Sequence, residues 1–188
     1  MGPIAVLMPV KAFADAKVRL AAALDGPARA ALARTMADHV MTAAGNLPVA
    51  VVCDDAEVAA WAGSRGARVI DEPGRGLNGA VARGVAQLVE SGAQQVIVAH
   101  ADLPLAGDLR WVARFPGVTL VPDRRDDGTN VLCLPAAAAG SFAFAYGPGS
   151  FRRHSAEARR LGLSVRVVRE PGLAWDVDVP ADLAAASF

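Results

Sequence analysis

Three aspartates carry the most specific chemical signal in this 188-residue chain. Asp102 closes the run Val96-Ile97-Val98-Ala99-His100-Ala101-Asp102-Leu103-Pro104, and Asp176 and Asp178 sit two apart in Trp175-Asp176-Val177-Asp178-Val179-Pro180. An unpaired carboxylate cannot follow a β-branched run into a dry interior, so Asp102 belongs just past the carboxyl end of a buried strand. In an open α/β sheet that edge is where ligands bind. If residues 176–178 are extended, Asp176 and Asp178 share one face, and crowded carboxylates repel unless a cation lies between them. Together with Asp102 they would make an all-oxygen site for a hard cation such as Mg²⁺. The plainer alternatives are an Asp-Leu-Pro turn at residue 102 and a helix cap at Asp178 or Asp182, the cap being the better account of Asp182.

Basic and small polar residues supply the other half of the chemistry. Lys11, Lys17 and Arg19 follow the first apolar run, on what is the phosphate side of a Rossmann-like sheet. Any one of them alone reads as a solvated loop residue, but three at this position point to an anion. In Pro73-Gly74-Arg75-Gly76-Leu77-Asn78-Gly79-Ala80 the glycines let backbone amides approach a nucleotide, and Asn78 is suited to cap a helix running to Glu90. An ordinary strand-to-helix connection would need no ligand there. Thr129-Asn130 opens another apolar run beside the charged loop Asp123-Arg124-Arg125-Asp126-Asp127-Gly128, and Gly147-Pro148-Gly149-Ser150 precedes Phe151-Arg152-Arg153-His154. Ser150 as an N-cap, with free amides beside two arginines and an imidazole, describes an anion site, although turn chemistry alone explains much of the composition.

The elements that must hold these groups are legible from periodicity. Short apolar runs at Ile4–Val10, Val49–Cys53, Arg68–Ile70, Val96–Ala99, Val118–Pro122, Val131–Leu134 and Ser164–Val168 read as strands. A helical stripe runs from Pro27 through Val40 to a stop at Gly45, and Asp54 with Glu57 resembles a capping box for a helix through Trp61. His39 is read as a core-edge residue, and Phe142–Tyr146 as a lid or edge segment. Strands alternating with helices predict an α/β fold with a mostly parallel sheet.

Composition bounds the rest. The length suits one domain spanning 1–188. Nineteen basic and nineteen acidic side chains cancel, which removes the broad positive surface of a nucleic-acid binder. Apolar runs are far shorter than the roughly 18 residues of a membrane span, and no basic-then-apolar leader opens the chain, so a cytoplasmic location away from membranes is expected. Cys53 and Cys133 fall on separate predicted strands and give neither a disulfide framework nor a zinc spacing.

The ordered set Pro9-Val10-Lys11, Ala16-Lys17-Val18-Arg19-Leu20, Gly76-Leu77-Asn78, Ala101-Asp102-Leu103-Pro104, Pro122-Asp123-Arg124, Gly128-Thr129-Asn130, Gly147-Pro148-Gly149-Ser150-Phe151, His154 and Asp176-Val177-Asp178-Val179-Pro180 resembles the guanylyltransferases of coenzyme F420 (deazaflavin) biosynthesis nearly end to end. The resemblance implies the Rossmann-like three-layer sandwich of the nucleotide-diphospho-sugar transferases, the MobA-like type. It implies transfer of GMP from GTP to the phosphate of phosphoenolpyruvate or 2-phospho-L-lactate, with release of pyrophosphate. By position, Asp102, Asp176 and Asp178 would hold Mg²⁺ on the triphosphate, and Lys11, Lys17 and Arg19 would meet the triphosphate. Gly76 and Asn78 would contact the nucleotide, with guanine read near Asp71–Asn78, while Thr129, Gly147 and Ser150 would bind a small phosphorylated three-carbon acid. The chain departs from the wider superfamily at its first loop, where Val10-Lys11-Ala12-Phe13 replaces a Gly-rich turn, so side-chain cations must replace a nest of amides. The Ala- and Arg-rich composition suggests a high-GC source, for which the resemblance leans toward phosphoenolpyruvate rather than 2-phospho-L-lactate. Competing readings are a guanylyl- or cytidylyltransferase acting on molybdopterin or a sugar-alcohol phosphate, and a non-catalytic nucleotide-binding regulator. A homodimer is left open by the sequence.

Overall fold

The computed structural model describes residues 3–183 apart from positions 73 and 75, so Pro73 and Arg75 of the Gly-rich turn lie outside the described residues. The strands β1 (Ile4–Pro9), β2 (Val49–Cys53), β3 (Arg68–Asp71), β4 (Gln95–Ala99), β5 (Val118–Pro122), β6 (Thr129–Pro135) and β7 (Val165–Val167) form one seven-stranded sheet in the order β3-β2-β1-β4-β6-β5-β7. β1 pairs in parallel with β2 and β4, and β2 with β3. β6 runs antiparallel to both β4 and β5, and β7 pairs in parallel with β5.

Alternation along the strands explains the layers. Val6 and Met8 of β1, Val51 and Cys53 of β2 and Ile97 and Ala99 of β4 point to one face. There they bury against Ala33, Ala37 and Val40 of α1 (Gly26–Ala43) and Val58 and Trp61 of α2 (Ala56–Ser64). Ala5, Leu7, Val52, Val96 and Val98 point to the other, under Val81, Val85 and Leu88 of α3 (Gly76–Glu90). Gly84 lets α3 come this close, because a Cβ there would lie 2.7 Å from the Leu7 side chain. Four further helices, α4 (Ala136–Ala139), α5 (Ser150–Arg160), α6 (Pro171–Ala174) and α7 (Pro180–Leu183), follow β6. The cysteines are buried thiols on β2 and β6, and burial pushes Cys133 up to about 12.

Several local expectations are corrected by the structure. The cap of α2 is Asp55, which accepts from the Val58 amide, while Glu57 pairs with Arg34. Asn78 lies inside α3 rather than at its N-cap. Ser150 is the first residue of α5, and the cap is Gly149 in left-handed geometry. Phe142 and Tyr146 are not a lid. Both are buried in the core beneath α5 and α3, because large aromatic rings gain more from burial than from covering a solvated cleft, although the Tyr146 hydroxyl finds no hydrogen-bond partner among the described residues.

One small cluster bears directly on function. Leu20, Met36 of α1 and Val177 bury against one another, tying the segment that carries Lys17 to the segment that carries Asp176 and Asp178. Truncating fully buried Leu20 leaves a cavity that costs about 2–5 kcal/mol. Leu20→Ala is therefore expected to lower the urea midpoint and to weaken activity in urea-free buffer, since both anchored segments lose their shared support. An unchanged midpoint contradicts this placement.

Candidate active site

The strand order reverses between β1 and β4, and the crevice beyond the carboxyl ends of such a pair is where open α/β sheets bind ligands. β1 ends at Pro9 and leads into Val10 and Lys11, and β4 ends at Ala99 and leads through His100 to Asp102. A cavity of about 370 Å³ opens there, lined among others by Lys11, Lys17, Arg19, His100, Asp102 and Asp178. These residues come from both sequence-separated halves that the reading above singled out.

Lys17 is the centre of the arrangement. It adopts left-handed backbone geometry (φ 54°, ψ 38°) at the start of the short helical turn Val18–Leu20, a conformation that costs a non-glycine residue of the order of 1 kcal/mol or more. Its Nζ donates to Asp102 Oδ2 at 2.6 Å and to Asp178 Oδ1 at 3.2 Å, with the side chain only 10% exposed. Burial opposes the charge on Lys17, but Asp102 and Asp178 outweigh it and hold the ammonium above its ordinary value. Burial likewise works against an ionised Asp102, and Lys17 overcomes it, holding the carboxyl below the usual range. Asp178 also faces Arg19 at 3.7 Å, though that guanidinium is largely in solvent and contributes little. Lys11 is exposed at the cavity rim.

The carboxylates are not a preassembled metal cage. Among the described residues no cluster of three acidic, imidazole or thiol side chains stands ready for a metal ion. The pair Asp102 and Asp178 is spanned by the Lys17 ammonium instead, because like charges brought together need a counter-cation. Asp176 feels burial first and then the neighbouring Asp102 and Asp178, which push it up to about 6. Asp102 Oδ1 is buried with no hydrogen-bond partner among the described residues. A carboxylate oxygen left over at the rim of an acidic cluster fits a hard cation.

The C-terminal segment is held in place by the expected cap at Asp182 and by contacts of Val177, Arg124 and Arg125 that sequence reasoning missed. The Val177 amide donates to Asp102 O at 3.4 Å, and Val177 itself is fully buried. Asp182 reaches back from the third position of α7 to accept from the Asp178 and Val179 amides at 2.8 and 2.9 Å. Arg124 pairs with Asp182, stacks its guanidinium 3.9 Å from the Trp175 ring centre, and donates its amide to Ala174 O. The loop's own Asp123 accepts from the amides of Arg125, Asp127 and Gly128. Arg124 and Arg125 thus turn toward Asp182 and serve as a clamp for the aspartate segment. The Asp182 contacts are the cap expected of a helix begun by Pro180, since an acidic third residue can reach back to free amides.

A second group lies beside β6. Thr129 and Ser150 are buried with hydroxyls 3.4 Å apart, and the Ser150 amide donates to Gly147 O at 3.0 Å. Gly147 has φ +112°, which only glycine adopts without strain. The structure therefore brings the three expected residues to one turn. The amides at the start of α5 are not free, however. Gly149 donates to the Asp127 carboxylate and Phe151 to Asp127 O. Arg153 is spent on Ala145 O and Pro148 O, and the Asn130 amide on Leu173 O. Gly76 begins α3 with φ +61°, and the Asn78 side chain accepts from the Tyr146 amide at 2.6 Å. The Tyr146 ring lies 5.0 Å from His100, which lines the cavity, and 4.7 Å from His154, which reaches Thr129.

Fold and site together define a class. A structure from Desulfovibrio desulfuricans G20 assigned to the nucleotide-diphospho-sugar transferases superposes with a TM-score of 0.80 at 15% identity, over 97% of this chain and 85% of that one. A nucleotidyl transferase from Methanothermobacter gives 0.69 at 16% identity, over 97% and 95%. The fold is that of the nucleotide-diphospho-sugar transferases. Within it, the family described as "Guanylyl transferase CofC like" matches residues 4–186, and this chain belongs to that family. Among its relatives, the phosphoenolpyruvate guanylyltransferase of Sphaerobacter thermophilus is 42% identical over 97% of this chain and 91% of its own length. That of Rubrobacter xylanophilus is 38% identical over 95% and 90%.

Proposed function

We propose that this chain is a guanylyltransferase that joins GMP from GTP to the phosphate of phosphoenolpyruvate. The observation that carries the reading is the Lys17 bridge between Asp102 and Asp178 at the β1–β4 crevice, in a chain whose relatives bear that name. An acceptor phosphate oxygen attacks the α-phosphorus of GTP in line, the bond to the β-phosphate bridging oxygen breaks, and pyrophosphate leaves. No covalent enzyme nucleophile is needed, so the protein's task is to seat two anions and offset their repulsion. Two like charges about 4 Å apart oppose each other by roughly 4 kcal/mol at an effective dielectric of 20. Lys11, Lys17 and Arg19 line the cavity that would receive the triphosphate. Asp102, Asp178 and Asp176 would hold Mg²⁺, which when bound supplies charge neutralisation at the phosphates; the unpartnered Asp102 Oδ1 supports that fit. Thr129, Gly147 and Ser150 would take the acceptor.

Pyrophosphate release tests the reading. With Mg²⁺ and GTP, phosphoenolpyruvate is expected to release it rapidly and 2-phospho-L-lactate slowly, with ATP a poor donor; no release with any phospho-acid would refute the proposal. Ser150→Ala is expected to raise the acceptor KM about tenfold or more while GTP KM stays within twofold, because a hydrogen bond to a charged group contributes about 1.5–3 kcal/mol. Gly147→Val should do worse, because its φ of +112° strains any other residue even though a Cβ there meets only Arg153, at 3.8 Å. If both changes weaken GTP and spare the acceptor, the acceptor binds elsewhere.

A further inference from the structure

His154 is fully buried, and neither ring nitrogen is left to solvent. Nε2 lies 2.9 Å from the Ala145 amide and Nδ1 lies 3.0 Å from Thr129 Oγ1. An amide N–H can only donate, so Nε2 must present its lone pair and the ring proton must sit on Nδ1, where it is donated to Thr129. Thr129 and Ser150 then share one hydrogen bond between their hydroxyls. Two hydroxyls carry two protons, and their mutual bond uses one. Among the described residues neither hydroxyl has any other partner, so one donor is left over. The other tautomer would set N–H against N–H at Ala145 and would free Thr129 to donate to the ring, removing that surplus.

We propose that His154 is a positioning residue that sets the direction of the Thr129–Ser150 pair, so that the pair offers a hydrogen-bond donor to an acceptor-only oxygen of the phospho-acid. The inference rests on the proposed function in taking the phospho-acid as the ligand. The ring is kept in place by α5 on one side and by Tyr146, 4.7 Å away edge-on, and Phe142, 5.9 Å away, on the other. Burial, followed by Arg153 and His100, lowers its pKa to about 4, so the neutral ring persists at neutral pH. A leucine of similar size would fill the space, but it would take the acceptor from the Ala145 amide and the ring donor from Thr129, leaving the hydroxyl pair free to point either way.

The test pairs a spectrum with kinetics on the full chain. In ¹⁵N-histidine-labelled protein, long-range ¹H–¹⁵N spectra are expected to show His154 as the Nδ1–H tautomer from pH 6 to 8, and its Nδ1 signal to shift on adding phosphoenolpyruvate but not GTP. His154→Leu is expected to raise the phosphoenolpyruvate KM at least tenfold with the GTP KM within twofold. His154→Asn, whose amide N–H can stand in place of Nδ1–H, should recover most of that loss. A simple packing role predicts instead that both variants lose stability and leave the KM ratio unmoved. An Nε2–H tautomer, or a folded His154→Leu protein with unchanged phosphoenolpyruvate KM, overturns the inference. Should His154→Leu not fold, the spectrum and His154→Asn decide. A parent protein that releases no pyrophosphate overturns the proposed function, and the tautomer measurement still stands apart from it.

Discussion

Asp102→Asn is expected to lower turnover by about three orders of magnitude while leaving a folded protein. The change is nearly isosteric, and Lys17 keeps its second carboxylate, Asp178, at 3.2 Å, so no buried charge is stranded. What disappears is the negative charge whose Oδ1 has no hydrogen-bond partner among the described residues. If that oxygen serves a cation on the triphosphate, its loss removes several kcal/mol of charge stabilisation, and each 1.36 kcal/mol is a decade of rate. Circular dichroism and a thermal midpoint within a few degrees of the parent would establish folding. Near-normal turnover in that folded variant would contradict the role given to Asp102.

The second large effect concerns Lys17. Its ammonium lies between Asp102 and Asp178 and does the work of a cation there. Lys17→Met is expected to reduce turnover by about 10²–10³, the range seen when one positioned donor to developing charge is lost. It should also change how the protein responds to metal. Without the ammonium the two carboxylates repel, so the variant should be less stable in chelator and should regain more stability than the parent as Mg²⁺ is added. A cation bound only by the folded state adds about 2.7 kcal/mol at a hundredfold excess over its dissociation constant. Thermal melts across a Mg²⁺ series check this directly. Equal responses in parent and variant would mean that Lys17 and Mg²⁺ do not share a site.

Much of this was legible from residues alone, and the reasons are physical. Parallel strands covered on both faces read as unbroken apolar runs, so Val96–Ala99 and its counterparts stand out, and Asp102 follows because a carboxylate must leave such a run. Strand direction was not legible. The apolar run of β6 has no sense of orientation; the short loop 123–128 turns it antiparallel to β5, and it then lies antiparallel to β4 on its other side. Capping residues were placed one or more positions off at Asp54, Asn78 and Ser150. Asp, Asn and Ser suit caps, turns and long-range hydrogen bonds alike, and here Asn78 and Ser150 reach Tyr146 and Thr129. The charge of Lys17 was visible, but its left-handed turn and the resulting double ion pair were not, because they depend on Leu20 packing against Met36 and Val177. Arg124 and Arg125 read only as part of a charged loop, because their partner is remote in sequence. Only the fold brings Asp182 to them.

The central claim, direct transfer of GMP to an acceptor phosphate, is tested most directly by ³¹P NMR on phosphoenolpyruvate labelled with ¹⁸O in its non-bridging phosphate oxygens, incubated with GTP, Mg²⁺ and the full chain. The account predicts a new pair of coupled phosphodiester signals, ¹⁸O in the oxygen that bridges the two phosphorus atoms, and unlabelled pyrophosphate. Label recovered in pyrophosphate, or no coupled pair at all, would contradict it.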